Sequence, residues 1–274
     1  GEELVETLGR VFADMLDIAA RRGGGLLKFG GDALLLFFQG EHHAHRAASA
    51  AVEMRQALRK AAEIPTSVGP LRLSMSIGLH SGDVHFFLVG STHRELVLLG
   101  PGANTVVAIE SAANAGEILL SSAAAAALPA SAVKARADGQ PLLRWRSPPA
   151  EPDGAALPRP VDSTLVAELF PRKLGDYLAH GAPDPEHRVA CIAFIRFSGT
   201  DAILAKQGPD ALADALQTTI GTIQTHLDDA GVTLLAVDID RDGGKLFVGA
   251  GVPHGHEDDE GVMLRALRQI ADAR

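Results

Sequence analysis

Leu4, Leu8, Val11, Met15 and Ile18 recur at spacings of three and four, which lines one helix face, and Glu2 and Glu3 sit at its electropositive N-terminal end. An amphipathic first helix is predicted. Two apolar strands follow, from Leu26 and from Ala33 to Phe38, joined by Gly30-Gly31-Asp32. Ala47, Ala51, Met54 and Leu58 then mark a second helix, and apolar runs near 71–79, 84–89 and 95–99 read as strands. A helix through Ala108, Ile109 and Ala112 and a short strand from Glu117 to Leu120 close this stretch.

Between 129 and 187 the periodicity fails. Ten of the fifteen prolines fall there, including Pro148-Pro149, Pro158 and Pro160, and proline removes backbone donors, so a linker is predicted. The run Leu142 to Trp145 can still dock as a strand. From 188 the pattern restarts: Val189 to Ile195 is a buried strand, Leu212, Leu216, Ile220, Ile223 and Leu227 line a helix, and a hairpin runs from Asp240 to Val248. An acidic-headed helix follows, with His254, His256 and Glu257 to Glu260 at its favourable end. Helix, Gly/Asp hairpin and helix thus occur twice, giving an α+β chain of two related units. The first unit is expected to lack an opening strand, and the second to hold only the N-terminal half of the pattern.

Composition narrows the classes. A length of 274 residues accommodates two cores, and 46% hydrophobic with 22% charged residues is ordinary for globular protein. The net charge of −9, without a cluster of Lys and Arg, argues against a nucleic-acid surface. No apolar run is long enough to span a membrane, so a cytoplasmic protein is expected. Cys191 is the only cysteine, set in an apolar strand, and reads as a buried thiol.

The candidate chemistry gathers at the first hairpin. Lys28 and Asp32 flank a glycine turn, and a tight turn presents a carboxylate where it can meet a cation without burial cost. Asp32 is therefore the candidate magnesium ligand. His42, His43 and His45 read as a solvated helix start, because neighbours at i, i+1 and i+3 do not all share a face. His80 reads as packing beside Ser81-Gly82, and Trp145 as packing between Arg144 and Arg146.

Three ordered segments carry a resemblance: Lys28-x-x-Gly-Asp32, Ser76-Ile77-Gly78-Leu79-His80-Ser81-Gly82-Asp83, and Leu98-Leu99-Gly100-Pro101-Gly102-Ala103-Asn104 leading into a helix. Together they resemble the class III nucleotide cyclase homology domain. The resemblance implies ferredoxin-like βαββαβ sheets in a first domain over 1–128, a linker over 129–187 and a second domain over 188–274, each incomplete. The doubled arrangement looks like the bicarbonate-responsive soluble adenylyl cyclases and their bacterial relatives, whose halves form a head-to-tail pseudodimer.

That resemblance implies conversion of ATP, less readily GTP, to the cyclic nucleotide and pyrophosphate, using two Mg2+ or Mn2+ ions held by paired carboxylates. Asp32 matches one carboxylate; the other would lie on the missing first strand. Asn104 matches the ribose-orienting asparagine, while Ala108 stands at the arginine position and Val97 at a purine-reading position. Lys28 matches a nucleotide- or bicarbonate-binding lysine, with Val106 and Val107 where its arginine partner would be. In the second copy, Arg196 falls at the strand aspartate, Gly243 at Asp32 when aligned without gaps on Gly40 and Gly251, and Ile239 or Ala236 at the lysine. These departures imply an alternative role, a catalytically silent nucleotide-sensing or regulatory module. Because the opening strand and the second copy's asparagine and arginine fall outside them, residues 1–274 alone are expected to be inactive.

Overall fold

The computed structural model describes residues 2–60, 69, 73–147, 168–179, 189–255 and 257–273. The side chain of Leu4, residues 71–72, Pro148, Pro149, Pro158, Pro160 and His256 lie outside the described set. The chain divides into two compact units, one formed by Gly1–Asp83 with Thr105–Arg159 and the other by Val84–Asn104 with Pro160–Arg274. Neither unit is continuous in sequence.

In the first unit, α1 (Glu2–Arg21) buries Met15, Ile18 and Ala19 against Ala50, Met54 and Leu58 of α2 (His43–Lys60). Fully burying a side chain of Met or Leu size is worth about 1.5–3 kcal/mol, so this apolar seam holds the pair together. Between the helices, β1 (Gly24–Gly30) and β2 (Ala33–Phe38) form an antiparallel hairpin whose register shifts between Leu26 and Lys28. Leu34, Leu36 and Phe38 of β2 pack on the helix seam.

A second layer of this unit begins at β3 (Ile77–Leu79), which pairs in parallel with β6 (Ile118–Leu120). A parallel pair needs a long crossover, and α3 (Pro101–Ala112) lies within that connection. After α4 (Ser122–Ala126), whose cap Ser121 accepts from the Ala124 amide, come β7 (Val133–Ala135) and β8 (Pro141–Leu143), giving the order β3-β6-β8-β7. These strands occupy part of 129–187, where proline content predicts a linker. Their apolar runs are too short to show periodicity, yet Leu143 is buried with Ile118, Leu120 and Val52. Trp145 packs edge-on against His45, with ring centroids 5.0 Å apart.

The second unit takes in an antiparallel hairpin from the earlier part of the chain, β4 (His85–Val89) and β5 (Glu95–Leu99). Its inward residues Phe87, Val89, Val97 and Leu99 share one core with the later elements. Those elements are α5 (Arg172–Ala179), β9 (Cys191–Ser198), α6 (Thr200–Gln207), α7 (Pro209–Ala230), β10 (Thr233–Asp240), β11 (Gly243–Ala250) and α8 (Asp259–Asp272). The antiparallel sheet runs β10-β11-β9, and Leu212, Leu216, Ile220 and Leu227 of α7 pack with Leu246 and Val248 of β11.

Polar pairing fixes the β4–β5 turn in that core. Gln224, 1% exposed, accepts from the amides of Ser91 and Thr92 and donates to the His93 carbonyl, while Ser91 Oγ donates to the Gly221 carbonyl. One buried glutamine thus engages three main-chain groups of the turn. The architecture is mixed α+β, as expected. Among the described residues no helix is long and apolar enough to cross a membrane.

Candidate functional site

The first hairpin is closed by the Gly30↔Ala33 pair, leaving Gly31 and Asp32 as a two-residue loop. Gly31 has φ 67°, a left-handed conformation that glycine adopts without a Cβ penalty. Asp32 is thereby held at the tip, exposed, and no side-chain hydrogen bond or ion pair engages it among the described residues. Lys28 sits on β1 opposite Leu35, half-buried.

The later hairpin has the same loop length. Asp240↔Gly243 closes it, so Arg241 and Asp242 form the loop and Asp242, not Gly243, occupies the place of Asp32. By the same register Asp238, opposite Lys245, stands where Lys28 does. Gapless counting back from Gly251 misses this because β11 has 8 residues where β2 has 6.

Asp242 has a different occupation from Asp32. One of its carboxylate oxygens accepts from the Gly199 amide (3.1 Å) and the other from the Asp201 amide (2.9 Å). Those are donors at the start of α6, which carry no intrahelical partner and favour a negative charge. Asp242 has φ 55°, a conformation aspartate tolerates. Beside it, Arg196 pairs with Asp240 (Nε–Oδ2 2.7 Å), and Lys245 lies over the Phe194 ring at 5.1 Å.

Asn104 belongs to the second unit, whereas Lys28 and Asp32 share the first. Its Nδ2 donates to Asp201 Oδ2 at 2.7 Å. The other Asp201 oxygen is buried and makes no hydrogen bond. Burial, and next the nearby Asp242 carboxylate, push the Asp201 carboxyl above its ordinary value, while the Asn104 hydrogen bond opposes that rise. Sequence reasoning passed over Asp201, which has no motif of its own. Val97 is 1% exposed inside β5 and therefore a core residue rather than a base reader.

The donor set limits what cation the chain can hold. Among the described residues no three His, Cys, Asp or Glu side chains converge on a metal position. A hard divalent ion that keeps several waters and binds substrate phosphates needs only one or two carboxylates, which Asp32 fits and the doubly engaged Asp242 does not.

Residues 1–146 match the family model described as the adenylate and guanylate cyclase catalytic domain. The chain belongs to this family. Similar solved structures include the guanylyl cyclase Cya2, at 29% identity over 52% of this chain and 78% of that one, with a TM-score of 0.44. The guanylate cyclase domain of RhGC from Catenaria anguillulae in complex with GTP is 23% identical over 52% of this chain and 81% of its own (TM-score 0.44). The adenylyl cyclase CyaB from P. aeruginosa is 26% identical over 52% and 81% (TM-score 0.42). No curated protein matches the chain.

Proposed function

We propose that the protein converts ATP to cyclic AMP and pyrophosphate, with Asp32 as a ligand for Mg2+ or Mn2+. The observation that carries this is the Asp32 carboxylate, presented at a glycine turn inside the matched family segment and engaged by no other side chain among the described residues. A bound divalent ion supplies charge neutralisation at the triphosphate and promotes attack of the ribose 3'-hydroxyl. Asp32 would hold it, and Lys28, on the same hairpin, would bind the nucleotide or an anion such as bicarbonate.

The two related portions of the chain, 1–128 and 188–274, act in this reading as paired cyclase homology domains with ferredoxin-like sheets. ATP is preferred over GTP by resemblance to the soluble adenylyl cyclases. The test is turnover of ATP and of GTP by the full-length protein with Mg2+ or Mn2+, alongside Asp32→Ala. Activity lost in the variant supports the reading; robust turnover that survives Asp32→Ala removes Asp32 from the mechanism.

A specific observation favours a second reading, a regulatory module that senses nucleotide without turning it over. Asn104 is tied to Asp201 and Asp242 is spent on α6, so neither is free to serve a nucleotide in this arrangement. Nucleotide binding by the full-length protein without product formation would select it.

A further inference from the structure

A Ser–His pair stands apart from the residues assigned above. His43 Nε2 lies 2.8 Å from Ser81 Oγ, and His43 Nδ1 lies 3.0 Å from the Gly40 carbonyl oxygen. A carbonyl oxygen can only accept, so Nδ1 carries the proton. In the neutral ring Nε2 then has the lone pair, and the Ser81 hydroxyl donates to it. This is the logic of an activated nucleophile: hydroxyl, imidazole base, and a third group that fixes tautomer and ring orientation.

The surroundings hold that geometry and leave it reachable. His42, immediately before, has φ 58°, a left-handed turn that leads the chain into α2 where His43 begins. On the other side of Ser81, His80 Nδ1 lies 3.0 Å from Ser121 Oγ, which also accepts from the Ala124 amide, so the loop is tied to the cap of α4. Gly82 and Asp83 are exposed, and their amides donate to no backbone carbonyl among the described residues. Two amides following a nucleophilic serine are groups that can stabilise a developing oxyanion.

We propose that Ser81 is a nucleophile activated by His43, accepting small activated acyl groups from esters or thioesters. Ser81 Oγ bonds to the acyl carbon as its proton passes to His43 Nε2. The bond to the leaving alkoxide or thiolate then breaks, and that group takes the proton from His43. The product is an O-acyl Ser81 with a free alcohol or thiol; water attacking by the same route restores Ser81 and releases the carboxylic acid. The half-exposed setting of Ser81 and His43 suits a short acyl chain.

The test is acetylation by p-nitrophenyl acetate, followed by peptide mass spectrometry of the full-length protein, native and unfolded in guanidinium chloride. The native protein is expected to carry acetyl on Ser81 at least about tenfold faster than the unfolded chain, in keeping with base catalysis. His43→Gln, which keeps a hydrogen-bonding side chain but no base, should lower the Ser81 rate by a similar factor, and Ser81→Ala should remove the labelled peptide. Equal labelling of Ser81 in native and unfolded protein, a rate unchanged in a folded His43→Gln variant, or acetyl on lysines alone would overturn the proposal.

Discussion

The β1–β2 and β10–β11 hairpins both have a two-residue loop with aspartate in its second position, left-handed at Gly31 in one and at Asp242 in the other, and the two carboxylates meet different surroundings. Asp32 is exposed and engages no side chain among the described residues, whereas Asp242 accepts from two amides at the start of α6. In the second unit β9 pairs with β11 along its whole length, from Cys191 to Ser198, and delivers the Gly199-Thr200-Asp201 turn against Asp242. Among the described residues of the first unit, β2 pairs with β1 and no main-chain amide donates to Asp32. In the second unit the loop carboxylate thus caps the start of α6.

The largest effect expected from this contrast is on activity. Asp32→Ala should reduce nucleotide turnover by on the order of a hundredfold or more while leaving the unfolding midpoint unchanged, because loss of a metal contact to a reacting phosphate removes several kcal/mol. Kinetics and thermal unfolding of the same variant check it. A stability loss with normal kinetics would reverse the roles assigned to the two hairpins.

Next in size is the cap. Asp242→Gly keeps the left-handed loop conformation but deletes both acceptors, leaving two amides without that partner, and should cost about 1–3 kcal/mol of stability in denaturant unfolding. The corresponding change in the first hairpin, Asp32→Gly, should cost little. Equal losses would erase the distinction between the loops.

The smallest effect concerns pH. The folded-state value of Asp201 is raised, by burial first and then by Asp242, so the native state holds its proton more tightly than the unfolded chain. That contribution is fully present below the unfolded aspartate value of about 3.9 and is lost as pH rises through the folded value. Asp201→Asn should therefore raise the midpoint slightly at neutral pH, keep an acceptor for Asn104, and change nothing at pH 3. Thermal unfolding at the two pH values measures it, and a variant less stable at neutral pH would contradict the assignment.

Much of this arrangement is legible in the sequence. The 3.6-residue periods place α1, α2 and α7, and the Gly-Gly-Asp and Asp-Gly turns mark both hairpins, because periodicity and turn chemistry are local properties. Three things are not local. Membership of β4 and β5 in the second unit depends on Phe87, Val89, Val97 and Leu99 finding Leu212 and Ile220, which no short window records. Strand β7 is three residues, too brief for alternation to show, whereas β8 overlaps the run from Leu142 that reads as a docking strand. The match of Asp242 to Asp32 rests on strand register, which closing pairs reveal and residue counting does not. The His43–Ser81 contact likewise joins residues 38 apart.

The most direct measurement is Mn2+-induced broadening of backbone amide resonances in the full-length protein with nucleotide present. Broadening centred on Gly31, Asp32 and Ala33, absent at Arg241, Asp242 and Gly243 and abolished by Asp32→Ala, is the predicted result. Broadening centred on Asp242, or a pattern that persists in the Asp32→Ala variant, would contradict the division of labour between the two hairpins.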